Sequence, residues 1–443
     1  MEEGRILYPE DKIPLTTLIP MGLQHVLAMF GATVLAPLLM GFSPQIALFF
    51  SGIGTLIFIA VTSFKVPSYL GSSFAFIGPV LAITGGNAAN IPYAQSGIAA
   101  AAILYGIAAL ATIRWGSHWI DRLMPPVVTG TVVAIIGLNL AASSMANAIN
   151  PDFAITSARD VTNLTIASVT FLTAAFVAMY LRGFLRLLPI LIGVIVGYTL
   201  AFALGAIDPA ALAKMATAPW LGLPPFVMPK FSIEAMLVIA PVFVVLVAEN
   251  KGHIAAISSC MKRDLTPHLG KAYLGDALAS FVSAMGGGTP QTTYAENMGV
   301  MAITRVYSTY NFVAAAVIAI ILGLCPKFGA AIQSIPEPVL GGITLILYGL
   351  ITLMGVKIWV DAGIDFYEQK NLLVAGTSLI VATGLGVKGI FISGIALSGI
   401  ALGTVLAIIL NVILSLGGKV SPAGTGGGVL PCGEEGIRKS PQE

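Results

Sequence analysis

Two acidic residues lie inside long apolar stretches of this chain, where an ionised carboxylate is costly. The first is Glu249, four residues before His253 in VFVVLVAENKGHIAAIS. On a helix, residues four apart lie on one face, one turn apart. A carboxylate beside an imidazole can hold, pass or share a proton near neutral pH. The alternative is a pair at a helix end at the membrane surface, because Lys262 and Arg263 follow closely.

The second acidic residue, Glu296, precedes Asn297 in TTYAENMGV (292–300). A carboxylate accepts hydrogen bonds from N–H donors, and a neighbouring backbone amide donates to carbonyl oxygens. This combination predicts recognition of a small planar molecule with alternating N–H and C=O groups; the alternative is a cap for the following helix. Phe74 and Tyr294 are candidates to hold a flat ring by stacking, with ordinary packing as their alternative.

Three other sites have roles that the residues leave open. Gln24 and His25, in the first apolar run, fit a structural and a functional role equally well. Asp276 is another carboxylate at membrane depth, and its candidate partners are Lys251 and a backbone amide. Lys251 is expected to extend its stem toward the cytoplasmic surface.

The composition predicts a polytopic membrane protein. The chain has 443 residues, of which 57% are hydrophobic and 9% charged, with a mean hydropathy of +0.93. Soluble domains carry roughly 25% charged residues. The net charge of +2 gives no indication of nucleic-acid binding. The three cysteines have no metal-site spacing, and no nucleophile accompanies the acidic residues, so the sequence predicts neither a metal site nor an enzyme.

Apolar stretches near 20 residues recur, each long enough to cross a hydrocarbon core about 30 Å thick. Short alternating segments, which mark a membrane β-barrel, are lacking. Two further apolar segments, 70–84 and 291–304, are short and broken by Gly and Pro. The predicted spans are 16–39, 44–63, 96–113, 125–146, 164–181, 186–205, 233–259, 272–286, 309–325, 336–355, 371–387 and 396–416.

The two short segments resemble each other and predict an internal repeat. GSSFAFIGPVLAIT (71–84) aligns with QTTYAENMGVMAIT (291–304), and PVVTG (126–130) aligns with PVLGG (338–342) at nearly the same offset. Fourteen segments then form two sets of seven in opposite orientations, and broken elements at matching positions point to a transporter's binding site. Their composition favours β structure. We expect two extended pieces that pair and offer backbone amides, since extended backbone at membrane depth must be buried or line a cavity.

Lysines and arginines in short loops predict the orientation. With the N-terminus inside, most of them, Arg263 and Arg305 included, fall on the cytoplasmic side, and both termini are predicted to be cytoplasmic. The tail after residue 416 is rich in Gly, Pro and charge and is predicted to be disordered.

The segment around Glu296 resembles the nucleobase–ascorbate transporter family, also called the nucleobase:cation symporter-2 family. The family signature is Gln, Glu or Pro, then Asn, any residue, Gly, any four residues, Thr, and Arg, Lys or Gly. This chain matches it fully with Glu296, Asn297, Gly299, Thr304 and Arg305.

The resemblance extends over the apolar region, from about residue 15 to 416. The family's first-span Gln-His pair is Gln24–His25, and its extended GSSFAF piece is 71–76. Within the family, the likeness is greatest to bacterial uracil:proton symporters, through LGSSFAFI, TTYAEN, GVMAITRVYST and the pair Glu249 and His253.

The resemblance implies an all-α polytopic fold of 14 transmembrane segments in two inverted seven-segment repeats, with short β-like pieces in segments 3 and 10. Segments 1–4 and 8–11 would form a core domain that holds substrate, and the others a gate domain. The implied divisions are a cytoplasmic N-terminus (1–14), a first core stretch (15–118), a first gate stretch (119–205), an extracellular or periplasmic loop (206–230), a second core stretch (231–325), a second gate stretch (326–416) and a cytoplasmic tail (417–443).

The resemblance also implies roles for the site residues. Glu249 and Glu296 would hydrogen-bond a uracil ring, and main-chain amides at Phe74 and Ala295 would meet its carbonyls. His253 would couple to the proton and position Glu249. The stacking candidate is Tyr294, and the supporting residues are Asn297, Gln24, His25 and Thr304.

The implied function is uracil import by proton symport through alternating access. No cofactor is implied besides the proton as coupling ion. The partners would be uracil or a related base, membrane lipid and a second copy joined through the gate domain, in a bacterial cytoplasmic (inner) membrane. The alternatives are a xanthine, urate or other nucleobase symporter and, more remotely, a membrane-embedded enzyme or an anion transporter.

Two departures from the family pattern bear on the substrate. Ala295 stands where the nearest relatives often have Gly, which would tighten the pocket slightly. Asn250 and Lys251 place a cation between the key residues, which would alter proton coupling.

Overall fold

The computed structural model describes residues 6–386, 389–392 and 395–416. The predicted disordered tail, 417–443, lies outside the described residues. The chain is mostly helical, as predicted. The elements of its first half are α1 (Leu15–Met40), α2 (Pro44–Val61), β1 (Leu70–Ser72), α3 (Ile77–Thr84), α4 (Ile91–Trp115), α5 (His118–Leu123), α6 (Pro126–Ala148), α7 (Ala158–Tyr180), α8 (Pro189–Ala203) and α9 (Pro209–Thr217).

The second half is also built mainly of helices, with a short strand between α12 and α13 and a two-stranded hairpin before α18. Its elements are α10 (Ile233–Ile239), α11 (Phe243–Met261), α12 (Leu269–Met285), β2 (Gln291–Thr293), α13 (Ala295–Thr304), α14 (Thr309–Gly323), α15 (Pro326–Gln333), α16 (Glu337–Asp361), α17 (Gln369–Leu385), β3 (Ile390–Ile392), β4 (Ile395–Leu397) and α18 (Gly399–Leu416).

The helices follow the predicted apolar stretches closely. Among the described residues, seven helical spans are long and apolar enough to cross a membrane, and the bent pair α14 and α15, at 82°, makes an eighth. The helices α8, α12, α17 and α18 lie where four further spans were predicted. Several boundaries have a local cause. Pro126 begins α6 at a position where a helix needs no N–H, and Gly41 ends α1 with a φ of 80°.

The two broken segments meet in the middle of the fold. Strand β1 pairs antiparallel with β2, in the register Leu70 to Thr293, Gly71 to Thr292 and Ser72 to Gln291, so the expected pairing is present. The extended pieces are shorter than predicted, because residues 74–76 form a 3-10 helix that leads into α3. Each half therefore has a buried three-residue strand followed by a helix.

The long helices pack in two groups. In one, α4 packs on α12, α14 packs on α1 and α2, and α2 and α12 flank the strands. In the other, α6 and α16 pack along each other, α7 and α8 pack together against α16, and α17 and α18 pack on α6. Helix α11 contacts both groups, through α4, α12 and α13 on one side and α6 on the other.

The N-terminal segment, residues 6–14, binds the loop that follows α13. The N–H of Leu7 donates to the carbonyl of Arg305 at 3.1 Å, and the N–H of Tyr307 donates back to Leu7 at 2.8 Å. Beyond α11, Arg263 binds Glu10 with an N–O distance of 2.8 Å. Because α11 carries Glu249 and α13 carries Glu296, this segment ties together the ends of the helices that hold both acidic residues.

Replacing Glu10 by Gln is expected to lower stability by about 0.5 kcal/mol, since the pair is largely exposed and such pairs are weak. The hydrogen bond from Arg263 lowers the pKa of Glu10. The contribution is therefore present above the ordinary glutamate pKa and is lost as pH falls through the lowered value. Thermal unfolding in detergent should show a difference from wild type at pH 7 that shrinks on acidification. In a double-mutant cycle, Glu10→Gln should have no effect once Arg263 is Gln; an equal effect in both backgrounds would contradict the pairing.

Candidate substrate site

The strand ends and helix α11 surround a cavity of 220 Å³ between the two groups of helices. One wall is built from α11, the end of β2, the helical turn that follows β1 and the first residues of α13. The opposite wall comes from α6 and α16. The lining residues are Phe74, Ala75, Val133, Ile136, Glu249, Gly252, His253, Ala256, Thr292, Thr293, Tyr294, Ala295, Glu296, Met298, Ile351, Met354, Lys357, Ile358 and Asp361.

Helix α11 presents Glu249 and His253 to this cavity. Both lie on one face, as the spacing of four predicted, and both line the cavity. The Nδ1 of His253 lies 2.9 Å from the hydroxyl of Thr293 at the end of β2, which fixes the imidazole against the strand. The Oε2 of Glu249 is buried and has no hydrogen-bond partner among the described residues. This oxygen is available to a ligand in the cavity.

The sheet brings two helix starts to the same place. Phe74 follows β1 and opens the helical turn before α3, while Ala295 follows β2 as the first residue of α13. The first N–H groups of a helix have no acceptor within that helix, and this end carries a partial positive charge. Glu296 lies in the first turn of α13 and lines the cavity. The site thus combines two carboxylates with two sets of backbone donors.

The two aromatic candidates have different surroundings. Phe74 is half-buried and meets Tyr348 of α16 edge to face, with ring centroids 6.4 Å apart. Tyr294 is only 3% exposed, and its hydroxyl donates to the carbonyl of Ser72 at 3.0 Å. Tyr294 therefore braces β1 as well as lining the cavity, while Phe74 is the freer ring.

The four residues predicted as supporting do not line the cavity. The Nδ2 of Asn297 lies 3.1 Å from Nδ1 of His25, so this amide fastens α13 to α1. His25 also packs on Phe312, with ring centroids 4.5 Å apart. The hydroxyl of Thr304 donates to the carbonyl of Val300 within its own helix, and Gln24 is half-buried on α1.

Asp276 has a partner that the sequence did not indicate. The Nδ2 of Asn250 lies 2.5 Å from Oδ2 of Asp276, and both residues are fully buried. Asn250 neighbours Glu249 but faces α12, so the pair lies behind the cavity wall.

Sequence reasoning also missed the wall opposite the acidic residues. Val133 and Ile136 of α6, with Ile351 and Met354 of α16, give it an apolar surface. Lys357 and Asp361 lie at its edge, one turn apart. The matched PVVTG and PVLGG motifs begin these two helices and are the only signal that pairs them.

Residues 16–388 match the family model Xan_ur_permease, described as "Permease family". The chain belongs to the nucleobase:cation symporter-2 family. It is therefore a multi-pass membrane transporter of the nucleobase class and not an enzyme, as the sequence predicted.

Its relatives in this family match over nearly their full lengths. The Escherichia coli K12 protein named "Putative pyrimidine permease RutG" is 44% identical over 421 residues, which is 93% of each chain. The uracil permease of Bacillus caldolyticus is 40% identical over 422 residues, which is 93% of the present chain and 94% of that permease. The uracil permease of Escherichia coli K12 is 39% identical over 416 residues, with the same coverage.

Solved structures resemble the fold at low sequence identity. The transmembrane domain of the cyanobacterial bicarbonate transporter BicA has a TM-score of 0.60 at 14% identity, covering 92% of this chain and all of that one. The SLC26A9 structure has a TM-score of 0.61 at 13% identity, covering 92% of the present chain and 66% of SLC26A9. At such identities the likeness concerns the fold alone.

Proposed function

We propose that this protein imports uracil together with a proton by alternating access. The observation that carries the proposal is the convergence of Glu249, Glu296 and the helix starts at Phe74 and Ala295 on one cavity. The names of the relatives, uracil permeases at 39–40% identity, point to the same substrate.

Uracil carries N–H and C=O groups in alternation around one planar ring. Carboxylate oxygens accept from N–H groups, and backbone amides donate to carbonyl oxygens. Glu249 and Glu296 supply the acceptors, and the main-chain N–H groups of Phe74 and Ala295 supply the donors. The ring of Phe74 covers one face of the base by stacking, and the apolar wall of α6 and α16 faces the C–H edge.

We assign the coupled proton to Glu249 and His253 of α11. Uracil is neutral, so a buried carboxylate can take up a proton as the base binds without an uncompensated charge remaining in the site. His253 lies one turn from Glu249 and is held by Thr293. In this scheme His253 keeps Glu249 in place and relays its proton. The scheme uses the proton as its coupling ion and involves no cofactor or metal.

The two groups of helices provide the moving bodies. The proposal keeps the predicted fourteen segments in two inverted repeats, with the core domain at 15–118 and 231–325 and the gate domain at 119–205 and 326–416. It is supported by the packing, in which the strands and acidic residues lie with one group and the apolar wall with the other. A site held between two such bodies suits alternating access. The proposal also includes a homodimer through the gate domain.

The orientation follows from the cationic loops. The N-terminal segment contacts Arg263 and Arg305, which belong to the set predicted to be cytoplasmic. We therefore place both termini inside, in a bacterial cytoplasmic membrane.

A purine symporter of the same family is the second candidate, and the fold neighbours raise an anion transporter. Two acidic residues in one cavity disfavour an anion. The main question for competition experiments is therefore whether the substrate is a pyrimidine or a purine.

Uptake of labelled uracil into cells that lack their own uracil carrier tests the proposal. We expect uptake to exceed that of cells with empty vector, to collapse with a protonophore, and to resist competition by xanthine and urate. Purine-sensitive transport of another base would replace the substrate assignment. Uracil uptake that survives collapse of the proton gradient would remove the symport assignment.

A further inference from the structure

The outer edge of each strand in the β1–β2 sheet is attached to a helix by one hydroxyl group. In α2, the hydroxyl of Thr55 accepts a hydrogen bond from the N–H of Leu70, the first residue of β1, at 2.9 Å. In α12, the hydroxyl of Ser280 accepts one from the N–H of Gln291, the first residue of β2, also at 2.9 Å. Both hydroxyl residues are buried. The two halves of the chain therefore use the same contact.

These contacts provide acceptors for the outer-edge amides of a two-stranded sheet, which has no further strand on either side among the described residues. Amides on its inner edges are paired across the ladder, since Ser73 N–H donates to the Pro290 carbonyl at 2.9 Å and Tyr294 N–H donates to the Tyr69 carbonyl at 3.0 Å. Amides on the outer edges alternate with them. A backbone N–H at membrane depth without a partner is costly, because no water reaches it. The helix hydroxyls supply the acceptors that neighbouring strands would otherwise provide.

The hydroxyl hydrogens are themselves engaged, which fixes where the acceptor lone pairs point. Thr55 donates to the carbonyl of Ser51, one turn earlier in α2, at 2.8 Å. Ser280 donates to the carbonyl of Gln291 at 3.0 Å, so its hydroxyl binds both the backbone N–H and the backbone C=O of that residue. A hydroxyl has one hydrogen and two lone pairs. Each strand is therefore held at a defined height on its helix.

From this geometry we infer that Thr55 and Ser280 are positioning residues for the substrate amides. Leu70 lies four residues before Phe74, and Gln291 lies four residues before Ala295. None of the hydroxyl-bonded residues lines the described cavity, so they act on the ligand only through the strands. Since hydrogen bonds weaken when donor and acceptor separate beyond about 3.5 Å, a sub-ångström shift of either strand weakens binding. This inference rests on the proposed uracil site.

Thr55→Val removes the acceptor at nearly constant volume, and Ser280→Ala removes it on the other strand. Thr55→Ser keeps the hydroxyl. The matched control is Thr62→Val, because Thr62 is a buried threonine of the same region that bonds only to carbonyls of α2. Two quantities are measured on purified protein in detergent: the Kd for uracil, and hydrogen–deuterium exchange resolved to single amides.

We expect exchange at Leu70 to rise at least tenfold in Thr55→Val, and exchange at Gln291 to rise likewise in Ser280→Ala. The Kd for uracil should rise about tenfold in each, with Thr55→Ser and Thr62→Val within threefold of wild type. Unchanged exchange in these variants would overturn the attachment. Faster exchange with an unchanged Kd, or an equal rise in Kd for Thr62→Val, would overturn the positioning role.

Wild-type protein provides a measurement that does not depend on the variants folding. Its Leu70 and Gln291 amides should exchange as slowly as the ladder amides of Ser73 and Tyr294; exchange a hundredfold faster would overturn the attachment. If wild type fails to bind uracil, the proposed function is wrong, and the exchange data still decide whether the hydroxyls hold the strands.

Discussion

Replacing Glu249 by Gln is expected to weaken uracil binding about 10- to 100-fold and to abolish proton-driven uptake. Its Oε2 is buried in the cavity wall without a partner among the described residues, so a ligand N–H is the group that satisfies it. Leaving a buried donor or acceptor unsatisfied costs about 1–3 kcal/mol, and each 1.4 kcal/mol corresponds to about tenfold in Kd. The amide of Gln offers one acceptor where the carboxylate offers two, and it cannot take up a proton.

The measurement is uracil binding to purified protein by isothermal titration calorimetry, together with uptake into proteoliposomes driven by an imposed pH gradient. Asp361→Asn is the matched control, because Asp361 lines the same cavity at its far edge. The control should bind within threefold of wild type. A Glu249→Gln protein with wild-type Kd and gradient-driven uptake would contradict the role given to this carboxylate.

Replacing Gly71 by Ala is expected to weaken uracil binding at least tenfold and to lower the thermal midpoint. A Cβ at this position would overlap the ring of Tyr294. That ring cannot simply move away, since its hydroxyl donates to the carbonyl of Ser72 and the main-chain N–H of Tyr294 donates to the carbonyl of Tyr69. Overpacking of a buried site costs about 1–3 kcal/mol. The strain is relieved by moving β1 or β2, and either movement displaces a substrate amide.

The same two measurements, Kd for uracil and thermal midpoint, test this prediction. Gly349→Ala is the control, because a Cβ added there meets no atom within 4 Å and Ala is the better helix former. Its Kd and midpoint should match or exceed those of wild type. Unaltered binding and midpoint in Gly71→Ala would show that the strands tolerate the overlap.

The amino-acid sequence by itself determined the helical membrane architecture. Backbone groups that face lipid must be paired inside the protein, and a helix pairs its own groups. Long apolar stretches therefore locate helices, as α2 over Pro44–Val61 and α6 over Pro126–Ala148 show. Helical periodicity likewise placed Glu249 and His253 on one face. The β-favouring residues beside Gly and Pro correctly predicted two short strands that pair, although not that they stop after three residues.

Only the tertiary structure decided which of these faces meet. Glu296 faces the cavity, whereas the adjacent Asn297 turns to His25 on α1. Asn250, next to Glu249, turns to Asp276 on α12. The apolar wall from α6 and α16 and the attachment of the strands by Thr55 and Ser280 join residues far apart in the chain. Periodicity fixes a side chain's direction relative to its own helix, but the neighbour it meets depends on how separate helices pack.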